Sequence, residues 1–130
     1  MTLDLPELYF RTRDNGAAVF RVDAANREGR LDLNQIAVVN LKKGEIRPHG
    51  DGALTEEEEA AIRAWMEERE ALLARRTIDD ILRTVDHLNL TAQWAQSQAS
   101  DDELELFTDD LLLAMHDLRT VLVKKKVERL

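Results

Sequence analysis

Cysteine is absent from the 130-residue chain. That excludes a disulfide framework, a thiolate metal site and a thiol nucleophile, and it suits a reducing cytoplasm. No apolar run approaches the ~20 residues that cross a bilayer. The start shows no basic segment followed by an apolar one, as a secretory signal would. The expectation is a soluble cytoplasmic protein. Glycine is also scarce, with five in the chain. There is no glycine-rich nucleotide lid, phosphate loop or nucleophile elbow, and no zinc spacing.

Positive charge is in deficit. The net charge is -8, from 18 Lys and Arg against 26 Asp and Glu. The imbalance lies wholly in residues 55–130, since residues 1–54 carry eight of each sign. Contacts to phosphate need a basic footprint, so nucleic acid is not an expected partner.

A length of 130 residues fits a single domain able to bury its own core. The pattern divides it into a strand-and-turn-rich half, 1–54, and a helical half, 55–130. In the first half, "LYFRTRDNGAAVFRV" alternates apolar and polar residues around a hairpin signal. A three-residue loop, Asp14, Asn15 and left-handed Gly16, pairs Phe10 with Phe20, Leu8 with Val22 and Thr12 with Ala18. An Asn15-Gly16 turn sets Phe10 against Arg21, so the longer loop is preferred. "AANREG" is the next turn, and "RLDL" returns as a third strand. Residues 34–43 are ambiguous. Val38 and Val39 favour a strand, while Ile36, Ala37, Asn40 and Leu41 form a helical stripe ending at "KKG". The reading adopted is a short helix. Pro48 excludes a central strand in the extended stretch that follows.

The helical half reads as three helices. The first opens at a capping box, Thr55 with Glu58, and carries Ile62, Trp65, Met66, Arg69, Leu72 and Leu73 on one face. The second opens at Thr77, with Ile78, Ile81, Leu82, Val85, Leu88, Ala92 and Ala95 on its face. The third opens at Ser100 with Glu103. The short turn between the last two predicts an antiparallel hairpin. The acidic runs at helix starts and basic runs at helix ends match the helix dipole. The fold class is therefore α+β: a small antiparallel sheet of about three strands, then three amphipathic helices.

The third helix carries two apolar stripes. Leu104, Phe107, Leu111, Met115, Leu118 and Leu122 form one. Leu106, Leu112, Leu113, Val123 and Val127 form another, nearly opposite. A helix apolar on two sides is buried on two sides. The first stripe can take the preceding helices. The second needs the small sheet or a second copy of the chain, and homodimerisation is the favoured expectation. Trp94 lies off its helix's stripe and joins the candidate interaction residues as a partner anchor.

The chemical candidates are few. His87 and His116 neighbour Asp86 and Asp117, but such adjacent pairs point different ways, and no Glu-x-x-His pair exists to build a bundle metal site. His49 lies in "RPHGDG", a stretch a simple turn explains. No metal or cofactor is expected. The run "MHDLRTVL" resembles the H-box of sensor histidine kinases through His116, Asp117, Leu118, Arg119, Thr120 and Leu122. In that family the histidine accepts phosphate, the carboxylate orients it and the threonine positions water. The resemblance would give those roles to His116, Asp117 and Thr120. Val121 stands where the family has proline, and the chain has no nucleotide-binding domain, so what it implies is stand-alone phosphotransfer and not a kinase. "LYFRTRDNGAAVFRVD", "LDLNQIAVVNLKKGEI" and "TVDHLNLTAQWAQS" together resemble a group of small bacterial proteins of unassigned activity. That resemblance implies no function. The leading expectation is a non-enzymatic interaction or adaptor protein with an unidentified protein partner.

Overall fold

A computed structural model describes residues 5–24 and 30–130. The fold is α+β: a four-stranded antiparallel sheet followed by two long helices. The strands are β1 (Leu8–Arg13), β2 (Gly16–Asp23), β3 (Asp32–Asn40) and β4 (Glu45–Pro48), in spatial order β1-β2-β3-β4. The helices are α1 (Glu56–Ser97) and α2 (Asp101–Glu128). The chain divides into two compact units, Met1–Ile78 and Asp79–Leu130. They are called here the sheet unit and the hairpin unit.

The first hairpin corrects both readings of its loop. Phe10 pairs with Val19, Leu8 with Arg21 and Thr12 with Ala17. The turn is the two residues Asp14 and Asn15, and Gly16 opens β2. The expected register assumed one apolar face. In fact all of Gly16, Ala17, Ala18, Val19 and Phe20 are buried. A strand buried on both faces carries no parity signal from which to read register. Gly16 lies in β2 and not in the turn, at a positive φ of 155° that side chains rarely adopt, and it is needed for close approach as well. A Cβ placed there would lie 1.8 Å from the Val39 carbonyl oxygen. Asn15 ties this turn to the next one: its Nδ2 donates to Asn40 Oδ1 (2.8 Å), and its Oδ1 accepts from the Lys42 amide (3.1 Å).

Residues 34–43 are not a short helix. Most of them form β3, which gives four strands where about three were expected. The helical stripe has a physical origin. The β2–β3 register shifts between Val19 and Phe20, which pair with Ala37 and Gln35. Ile36 is thus an extra, bulged residue. The bulge lets Ile36 and Ala37 both join the core with Val39 and Leu41. Pro48 closes β4, an edge strand, as its missing N–H requires. The turn read at "AANREG" falls mainly on residues 25–29, outside the described residues.

The core of the sheet unit is Val19, Ile36, Ala37, Val39, Leu41, Ile62 and Met66, with Leu8, Phe10, Ile46, Leu54, Trp65 and Leu73 packed against it. The Trp65 ring stacks on Phe10 with centroids 4.7 Å apart. The helix start is fixed as its capping box predicts: the Glu58 amide donates to Thr55 Oγ1 (3.1 Å), and the Thr55 amide donates to Glu58 Oε1 (3.0 Å).

The break expected at Thr77 is absent, so there are two helices and not three. Residues 55–97 contain neither glycine nor proline, leaving nothing to stop the helix. Thr77 does not cap. Its hydroxyl donates to the Leu73 carbonyl (3.0 Å), the bond a threonine makes inside a helix. The change of face between Leu73 and Ile78 is a turning of the apolar stripe along one helix. The break at Ser100 is real, with a complete capping box to Glu103.

Candidate interaction surface

The hairpin unit is built from the second part of α1, a turn at residues 98–100, and α2. The turn is closed by the Gln98 and Ala99 amides, which both donate to the Trp94 carbonyl. Trp94 lies 6.0 Å from Phe107 between ring centroids and is half-buried. Around this pair opens an apolar cleft of about 560 Å³, lined by His87, Leu88, Leu90, Thr91, Trp94, Phe107 and Leu111.

Cover is confined to the neighbourhood of the turn. Leu88, Thr91, Trp94, Ala95, Leu104, Phe107, Thr108 and Leu111 are half-buried. Every residue of 79–87 and of 112–130 is exposed. The second stripe therefore stands bare: Leu106 is 81% exposed, Leu113 66%, Val127 61% and Val123 47%, with Leu112 similar. The first stripe departs from expectation beyond Leu111. Met115, Leu118 and Leu122 are exposed too, as are Ile81, Leu82 and Val85 on α1. Exposed apolar side chains aligned in stripes differ from the scattered exposed leucines of an ordinary monomer.

His116 is exposed and sits in the middle of the second stripe. Asp117 is its sequence neighbour, and successive residues on a helix do not face each other. The Thr120 hydroxyl donates to the His116 carbonyl (2.9 Å). His87 borders the Trp94 cleft, and His49 is exposed beyond β4. Among the described residues, no three His, Asp or Glu side chains gather as metal ligands. No helix of the described residues is long and apolar enough to cross a membrane.

Two features of the sheet unit lay outside the sequence reading. Arg21 grips Glu58 with two hydrogen bonds, Nε to Oε2 (2.5 Å) and Nη2 to Oε1 (2.8 Å). These bonds, chiefly, hold the Glu58 carboxyl down to about 2 against its ordinary 4.5. The alternation in "LYFR" and "AVFR" gives no hint that residues 37 apart meet. On the sheet face away from the core, Tyr9 lies 6.0 Å from Phe20, and the Arg11 guanidinium sits 4.5 Å over the Phe20 ring. Beside them is a smaller cleft of about 330 Å³, lined by Tyr9, Val22, Leu31 and Leu33 among others. A signal for it existed: β2 is apolar at both odd and even positions.

No family model, curated protein or solved structure matches this chain. The functional reading rests on the surface itself.

Proposed function

We propose that the protein is a non-enzymatic interaction or adaptor protein of the cytoplasm that self-associates through the hairpin unit. The observation that supports this reading is the apolar surface of α2 left bare, the whole second stripe and the first stripe beyond Leu111. Nine large apolar side chains between Leu106 and Val127 are each at least 45% exposed. Leaving them in water forfeits the burial that stabilises a helix of this kind. A helix apolar on two sides needs two neighbours. A second hairpin offers two, as in a four-helix bundle. Leu106, Leu112, Leu113, Val123 and Val127 form the contact, and Trp94 at the open cleft is the anchor for a further protein partner.

Light scattering on the full chain tests this reading. The wild type gives a dimer mass. Leu113→Glu with Val123→Glu gives a monomer of unchanged helicity by circular dichroism. A wild-type monomer at high concentration, the outcome expected if another part of the chain covers this face, removes the proposal.

A second reading has one observation in its favour, the exposed imidazole of His116. An accessible histidine with Asp117 and Thr120 nearby is what stand-alone phosphotransfer requires. Incubation with acetyl phosphate would leave acid-labile phosphate on the wild type and none on His116→Gln. An unlabelled wild type ends this reading. The two readings compete, because a contact through the second stripe covers His116.

A further inference from the structure

Resting on the self-association just argued, we infer that the two copies pair with their α2 helices antiparallel, the acidic half of each lying along the basic half of the other. The charges of α2 are segregated. Asp101, Asp102, Glu103, Glu105, Asp109 and Asp110 precede His116 with no basic residue among them. Arg119, Lys124, Lys125 and Lys126 follow it, with Arg129 just past the helix end, against two acids, Asp117 and Glu128.

The helix dipole accounts only for charges in the first and last turns. Asp109 and Asp110 lie two turns in, and Arg119 lies more than two turns before the end. The hairpin itself does not neutralise the acidic half. Residues 88–97 of α1, which lead into the turn, carry no charge at all. Among the described residues, the six carboxylates of 101–110 make no ion pair, and the cations of α2 form one, Lys125 with Glu128.

The complement to this surface is therefore the other end of the same helix. Parallel pairing would set six carboxylates against six, and like charges across an interface are costly. Antiparallel pairing sets them instead along a half with five cations and two acids, a net charge of 5 − 2 = +3. The two ends of the apolar stripe fit this arrangement. Leu106 and Val127 are equally distant from the middle of the second stripe, at His116 and Asp117. A two-fold axis passing there brings Leu106 against the partner's Val127, while the two copies of Leu106 stand about 30 Å apart at 1.5 Å per residue.

The chain has no cysteine, so single introduced thiols report without background. Full-length Leu106→Cys and Val127→Cys are treated with a short bismaleimide, each alone and as an equilibrated mixture, with the mass of each sample measured alongside. The mixture should give at least tenfold more cross-linked dimer than either variant alone. As an independent check, Lys124→Glu with Lys125→Glu and Lys126→Glu should weaken the dimer at least tenfold, and 1 M salt should weaken the wild type in the same direction. Cross-linking of each variant mainly to itself overturns the antiparallel arrangement and leaves self-association standing. A dimer mass with no cross-linked product in any sample overturns pairing along α2. A monomer mass removes the inference together with the reading beneath it.

Discussion

The sheet unit and the hairpin unit use similar amounts of leucine, isoleucine and valine to opposite ends. In the sheet unit these side chains close on one another. Ile62 of α1 is wholly buried among Val19, Ile36, Val39 and Met66. In the hairpin unit, half of α2 carries its apolar residues into solvent. The difference is one of geometry. A four-stranded sheet presents a broad face that one helix can cover. Two helices joined by a three-residue turn share only one seam, and α2 is apolar on two sides. The sheet unit has a closed core among its described residues. On the reading proposed above, the hairpin unit supplies half of an interface.

The sharpest way to break this comparison is to delete the same bulk from each unit. Ile62→Ala should lower the stability of the dilute chain by about 2–5 kcal/mol, since a closed core is left with a cavity. Leu113→Ala should change it by no more than about 0.5 kcal/mol and should instead weaken the dimer, by about 1–2 kcal/mol, roughly tenfold in Kd. Urea unfolding and sedimentation of both variants check this. Equal losses of stability would show that the hairpin has a closed core after all.

A smaller effect tests the sheet alone. Gly16→Ala should cost about 1–3 kcal/mol, because the new methyl meets the Val39 carbonyl oxygen and β3 must give way. The association of the hairpin should be untouched, which the same sedimentation run would show.

The smallest effect is in acid. The Arg21–Glu58 pair lowers the folded-state pKa of Glu58 to about 2 from 4.5. A lowered carboxyl stabilises the folded state fully above about pH 4.5 and loses that contribution as pH falls toward 2. Urea midpoints at pH 7 and pH 3 should therefore fall less in Glu58→Gln than in the wild type. Parallel losses in the two proteins would mean the pair contributes nothing.

These contrasts follow how legible the chain was. The capping boxes at Thr55 and Ser100 were read correctly because local hydrogen bonding decides them. So was Pro48 at an edge, because a missing N–H is a local fact. The errors lie where neighbours distant in sequence decide. The register of the first hairpin depends on β2 being covered on both faces. The identity of β3 depends on a bulge at Ile36, which mimics a helical stripe. At Thr77 a good capping residue sits in a helix that nothing stops. The stripes of α2 were legible from helical spacing alone, yet their exposure could not be, since spacing tells which residues share a face and not what covers it.

The central claim is that the hairpin unit is finished by a second copy of the chain. Sedimentation equilibrium of the wild type over a hundredfold range of concentration tests it most directly. A mass rising from 14.9 kDa to twice that value is the result predicted here. A mass that stays at that of one chain throughout would contradict it.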